Sequence, residues 1–109
     1  MDDAYLDAVL SVVERVPSGR ATTYGLIAEY LRDHSDPALG VRDRGGPRQV
    51  GTVLSRAGGD VPWWRVVNAT GNPPARHRVH ALDQLRAEGC PLTSDGTRVR
   101  LRDAVWLPD

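Results

Sequence analysis

Gly46-Pro47-Arg48-Gln49-Val50-Gly51-Thr52-Val53-Leu54 is the stretch whose reading decides the fold. Proline at a first helical position sacrifices no intrahelical hydrogen bond and presets φ, so Gly46-Pro47 marks a helix start. Val50, Val53 and Leu54 then supply an apolar stripe at helical spacing, with Arg48 in the first turn, and Ala57-Gly58-Gly59-Asp60 ends the helix. Upstream, Thr23 has the hydroxyl of an N-cap for a second helix running through Tyr24, Ile27, Ala28 and Leu31 and stopping near Asp33. Two such helices, the later one short and basic at its start, predict a helix-turn-helix-like pair. The polar, aperiodic stretch from His34 to Gly46 reads as an unusually long connecting loop.

Farther out, Leu6, Val9, Leu10, Val13 and Val16 recur every three or four residues, which predicts an amphipathic helix from Ala4 to Val16 ended by Pro17-Ser18-Gly19. On the other side, Trp64-Arg65-Val66-Val67 is aromatic and β-branched enough for a short extended segment, turned at Asn68-Ala69-Thr70-Gly71. A further helix follows, with Val79, Leu82 and Leu85 as its buried side and Ala87-Glu88-Gly89 as its end. After the turn Ser94-Asp95-Gly96, Val99 and Leu101 alternate with Arg98, Arg100 and Arg102, the pattern of a strand with one basic face. The expected class is mostly α with a short β-hairpin and a helix-turn-helix-like pair.

With 109 residues and 40% hydrophobic content, residues 1–109 fit one domain around one core. No apolar run is long enough to span a bilayer and the acidic start is unlike a secretory signal, so a cytoplasmic protein is expected. Cys90 has no second cysteine to pair with. His77 and His80 stand three apart but lack a thiolate or carboxylate partner, so no metal is expected, and no cofactor signature is present. The zero net charge hides a gradient: residues 1–41 carry three arginines against seven acids, residues 42–102 eleven against five. Every cation is arginine, which suits bidentate phosphate contacts and a GC-rich genome equally.

Pro62-Trp63-Trp64-Arg65-Val66-Val67 resembles the Pro-Cys-His-Arg-Val motif of the O6-alkylguanine-DNA alkyltransferases, and resembles more closely the alkyltransferase-like proteins, in which tryptophan takes the cysteine position. Two more segments carry the resemblance in order: Val16-Pro17-Ser18-Gly19-Arg20-Ala21-Thr22-Thr23-Tyr24-Gly25, and Arg48-Gln49-Val50-Gly51. An indole has one N–H donor and no nucleophile near neutral pH, so Trp63 in place of the thiolate predicts that the chain is not an enzyme. The resemblance implies a recognition helix that enters the minor groove of double-stranded DNA, an arginine that fills the space of an extruded nucleotide, and a pocket that receives O6-alkylguanine. It also implies a winged-helix or helix-turn-helix-like DNA-binding domain that is monomeric, is nucleoid-associated when bound to DNA, and has nucleotide excision repair proteins as partners.

On that basis Thr23, Tyr24, Arg48, Gln49, Gly51 and Thr52 are the expected DNA-binding residues, and Tyr24, Trp63, Val66 and Arg76 the expected lesion pocket. Six of them have a plainer alternative: a solvated or phosphate-binding Arg48, simple helix packing at Gly51 and Thr52, a half-buried core Tyr24, a core Trp63, a phosphate contact or exposed loop charge at Arg76. Glu88 matches a family glutamate that holds a cysteine-histidine pair in active enzymes; with both replaced here, a structural acid at a helix end is expected. Trp64 departs from the histidine that alkyltransferase-like proteins mostly keep, and an indole can donate a hydrogen bond there but cannot shuttle protons. Two other functions compete with lesion binding: a helix-turn-helix regulator reading undamaged sequence, for which Gln49, Thr52 and Ser55 are the base-reading candidates, and residual alkyl transfer to Cys90.

Overall fold

The computed structural model describes residues 3–34 and 46–108. Helix α1 (Asp3–Arg15) leads through a turn into strand β1 (Thr22–Thr23), which passes directly into α2 (Tyr24–His34). Thr23 caps this helix as the sequence predicts: its hydroxyl accepts a hydrogen bond from the Leu26 N–H at 3.0 Å. Most of the expected loop between His34 and Gly46 lies outside the described residues. Helix α3 (Pro47–Ala57) then begins with Pro47 at its first position, and the Gln49 side chain reaches back to accept from the Gly46 N–H at 2.9 Å. Strand β2 (Val66–Val67), helix α4 (Arg78–Ala87) and the single turn α5 (Leu101–Ala104) complete the order.

The mostly helical class holds, and the β structure departs from a hairpin. Strands β1 and β2 pair in parallel, Thr22 with Val66 and Thr23 with Val67, with α2 and α3 in the connection between them. Asn68-Ala69-Thr70-Gly71 is a turn, but its polar groups are spent locally rather than on folding the chain back. Asn68 Oδ1 accepts from the backbone N–H groups of Thr70 at 3.0 Å and Asn72 at 2.9 Å. Hairpin character survives only at the antiparallel bridge between Leu92 and Val99, across the Ser94-Asp95-Gly96 turn. There Asp95 accepts from Thr93 Oγ1, Thr97 Oγ1 and the Thr97 N–H, bonds that hold its carboxyl down to about 2.

Two further expectations are corrected. The stretch from Thr97 to Leu101 is not a strand: Leu101–Ala104 turns into α5, because burying Ala104 lets the helix end dock on the other edge of β1. The Ala21 N–H donates to the Ala104 carbonyl at 3.1 Å, the Trp106 N–H to the Ala21 carbonyl at 2.7 Å, and Arg20 Nε to the Ala104 carbonyl at 2.9 Å. Val79 is 74% exposed, whereas Leu82 and Leu85 are buried as expected, joined by Ala81. Val79 lies three residues before Leu82, at the spacing of the buried stripe, but in the first turn of the helix, which remains exposed.

The small sheet divides the interior in two. Tyr5, Val9, Val12 and Val13 of α1, Ile27, Ala28 and Leu31 of α2, and Val50 and Val53 of α3 form one cluster together with Val61 and Val66. Ala21, Val67, Leu85, Cys90, Val99 and Ala104 form the other. Val66 and Val67 point to opposite sides, as alternation along a strand requires, so β2 pins the helical layer to the C-terminal layer. Gly71 is needed for that union: its φ is +90° and a Cβ there would lie 2.3 Å from the Val99 carbonyl oxygen. Gly71→Ala is expected to lower stability by about 2 kcal/mol or more through strain and loss of the Val99 N–H bond to the Gly71 carbonyl, as measured by urea denaturation.

Candidate nucleic-acid interface

A cavity of about 250 Å³ opens between the start of α2 and the central and later turns of α3, lined by Tyr24, Gly51, Leu54, Ser55, Trp63 and Pro74. Such a volume lies just below the roughly 300–1,000 Å³ usual for ligand pockets, the scale of one planar ring system. Tyr24 is the first residue of α2, delivered there by the Thr23 cap. Burial pushes its hydroxyl pKa upward, so the phenol stays a neutral donor and acceptor. Across from it, a Cβ added at Gly51 would meet only the Tyr24 ring, at 3.9 Å. The helix fold tolerates a methyl there, and its absence widens the gap between α3 and Tyr24.

Trp63 opens a 3₁₀ turn, Trp63–Arg65, and its half-buried indole walls the cavity without filling it. Three rings surround that indole: Trp64 edge-on with centroids 5.9 Å apart, His77 at 5.5 Å and His80 at 5.7 Å. These are favourable geometries for aromatic pairs.

The other tryptophan turns inward. Trp64 Nε1 donates to Glu88 Oε2 at 3.0 Å, so the indole fills the donor role that its N–H allows. Arg65 donates from Nε to Glu88 Oε1 at 3.0 Å and from a terminal nitrogen to Oε2 at 2.6 Å, and its other terminal nitrogen donates to the Val16 carbonyl at 2.9 Å. The Gly19 N–H donates to Glu88 Oε1 at 3.4 Å. Burial raises the Glu88 carboxyl pKa, but the bonds from Arg65, Trp64 and Gly19 together with the Arg65 charge outweigh it, and the net shift is downward.

The structure gathers some of the expected residues and separates others. Tyr24, Gly51 and Trp63 meet around the cavity, and Arg48 stands exposed in the first turn of α3 with its guanidinium unpaired among the described residues. Thr23 and Gln49 spend their side chains on helix caps, and the Thr52 hydroxyl donates back to the Arg48 carbonyl at 3.0 Å. Val66 is fully buried in the helical core, and Arg76 is exposed in the 3₁₀ turn Ala75–His77 rather than on the cavity wall. Leu54, Ser55 and Pro74 line the cavity although the sequence singles none of them out for it. The helical phase of Gly51 carries the missing signal for two of them, since residues three and four positions on share its face.

The family model for the 6-O-methylguanine DNA methyltransferase DNA-binding domain matches residues 4–89. The chain belongs to that family. Among relatives, a DNA base-flipping protein of Vibrio parahaemolyticus is 30% identical, with 97% of this chain and 99% of that protein covered. Alkyltransferase-like protein 1 of Schizosaccharomyces pombe is 31% identical over 99% of this chain and 98% of that protein. The crystal structure of S. pombe Atl1 in complex with damaged DNA containing O6-carboxymethylguanine superposes with a TM-score of 0.73, at 30% identity and 97% coverage of both chains.

In this member of the methyltransferase DNA-binding family the lone thiol, Cys90, is 5% exposed. Burial, reinforced by the nearby Glu88 charge and only partly opposed by Arg20, pushes it up to about 11. At neutral pH it is a packed thiol of the C-terminal cluster rather than a nucleophile. No helix among the described residues is long and apolar enough to cross a membrane.

The Glu88 cluster sets an acid limit on the family fold. Because the folded carboxyl titrates below the ordinary 4.5, its contribution is fully present above that value and is lost as pH falls through the folded pKa. Glu88→Gln is expected to cost about 2–4 kcal/mol at pH 7, by leaving Arg65 half-buried without its counter-charge, and progressively less as the Glu88 carboxyl of the wild type protonates in acid. Denaturation of both proteins across pH 3–7 measures the difference.

Proposed function

We propose that this protein is a single-domain, monomeric sensor of O6-alkylguanine in double-stranded DNA. It presents α3 to the minor groove, rotates the damaged nucleotide out of the stack, holds the base in the Tyr24–Trp63 cavity, transfers no alkyl group, and marks the lesion for nucleotide excision repair. The observation that carries this reading is the open cavity bordered by Trp63, at the position where the alkyltransferase motif has its cysteine, together with an exposed arginine at a helix start that has no partner among the described residues. A filled cavity would leave an extruded guanine nowhere to go.

The energetics support the same reading. Everting a nucleotide costs a few kcal/mol. Stacking of a base on the Trp63 indole returns about 1–3 kcal/mol without demanding sequence. The Arg48 guanidinium, planar and always charged, can occupy the vacated stack near the phosphates and supply the remainder. Tyr24, whose ring sits at the cavity edge with its phenol neutral, is placed to press on the adjoining backbone. Arg76, exposed in the 3₁₀ turn that follows Pro74, would reach the everted base only once DNA is bound, while Thr23, Gln49 and Thr52 act mainly by shaping the helix starts that present Tyr24 and Arg48. The relatives are named as a DNA base-flipping protein and an alkyltransferase-like protein, and the similar structure holds damaged DNA, which favours lesion binding over readout of an undamaged operator.

Titration of matched duplexes with and without O6-methylguanine, followed by fluorescence anisotropy at fixed salt, tests the proposal. Wild type is expected to prefer the modified duplex, and Arg48→Ala to lose about tenfold or more in affinity for it, the equivalent of about 1.4 kcal/mol. Equal affinity of wild type for the two duplexes would overturn lesion sensing. Residual enzymatic transfer is tested separately. A thiol at about 11 leaves roughly one molecule in ten thousand ionised at pH 7, so intact-mass analysis after incubation with methylated DNA is expected to show no methyl gain on Cys90.

A further inference from the structure

We propose that His77 and His80 are positioning residues that set the discrimination between damaged and normal DNA, by bracketing Trp63 and fixing its indole as the wall of the cavity. This rests on the reading of that cavity as the receiver of an everted base. Trp63 belongs to a three-residue 3₁₀ turn, is only partly buried and packs in neither hydrophobic cluster, so its ring depends on neighbours outside the core to hold it. Trp64 braces it from one direction, edge-on at 5.9 Å. The remaining support comes from two imidazoles on a separate segment, His77 closing the turn Ala75–His77 and His80 in the first turn of α4. Their centroids lie 5.5 and 5.7 Å from the Trp63 ring at interplanar angles of 62° and 53°. Their three-residue spacing puts both on one side of the helix start, which is what two contacts to a single indole need.

Both histidines are exposed, and no hydrogen bond or ion pair among the described residues claims their ring nitrogens. Ring contact with Trp63 is therefore the interaction their placement serves. The consequence is specific to the everted state. A base that remains stacked in the duplex never touches Trp63, whereas an everted base must find the indole already oriented or pay to order it. Ordering one such side chain costs about 0.5–1.5 kcal/mol, which converts to roughly two- to tenfold in binding. Preorganisation by the bracket thus raises affinity for the lesion while leaving affinity for intact DNA unchanged.

The test compares wild type with His77→Ala/His80→Ala and with His77→Phe/His80→Phe, which restores ring contact without a polar edge. With unmodified and O6-methylguanine duplexes, the Ala pair is expected to lower the lesion-to-normal affinity ratio about three- to tenfold at unchanged affinity for normal DNA, and the Phe pair to restore most of it. In the free proteins labelled with 5-fluorotryptophan, the Trp63 resonance, assigned through Trp63→Phe, is expected to shift and broaden in the Ala pair only. An unchanged ratio, an equal loss on both duplexes, failure of the Phe pair to restore the ratio, or an unaltered Trp63 resonance would each overturn the bracket. Absence of any lesion preference in wild type would instead overturn the function proposed above, and the fluorine spectra would still report on the bracket.

Discussion

One carboxylate organises the working face of this protein. Glu88 sits at the C-terminal end of α4, where the helix dipole is unfavourable for an anion, and it is held there because Arg65, Trp64 and the Gly19 N–H converge on it. That convergence joins the turn after α1, the turn Trp63–Arg65 and the end of α4, three segments far apart in the chain. Arg65 extends it with a bond to the Val16 carbonyl. Since Trp63 and Trp64 are neighbours in one tight turn, drawing Trp64 toward Glu88 leaves Trp63 facing the cavity, with the two indole planes 86° apart.

The parallel pairing of β1 with β2 has a comparable role at the level of layers. Two residues a strand suffice because each strand continues directly into a functional element: β1 into α2 with Tyr24 at its head, and β2 out of the turn that carries Trp63. The pairing therefore sets the distance between Tyr24 and Trp63, the two aromatic sides of the cavity. Val66 and Val67 secure it by burying their side chains in different clusters, each removing about 1.5–3 kcal/mol worth of apolar surface from water.

Polar residues near the interface divide according to what the helix starts require. The first turns of α2 and α3 have unpaired N–H groups that water or a side chain must satisfy. Thr23 and Gln49 meet part of that demand, and Thr52 bonds back to the preceding turn. Arg48 has no acceptor lone pair to offer a backbone N–H and stays outside the local bonding, which leaves it available to an external partner. The same logic accounts for Trp64: an indole N–H can replace another donor toward Glu88 but gives no route for a proton, so the cluster is structural.

Local chemistry was enough to read the three main helices, the Thr23 cap, the Pro47 helix start and the structural part of Glu88, because each depends on spacing or on a single side chain's functional groups. Pairing was not legible there. Whether Val66-Val67 folds back on its successor or joins Thr22-Thr23 is decided by which surfaces two distant layers must bury, and that also turned Leu101–Ala104 into a helix and left Val79 outside the core. The cavity belongs to the same class: its wall takes residues from α2, α3, the Trp63 turn and Pro74, and empty space between elements exists only once they have packed.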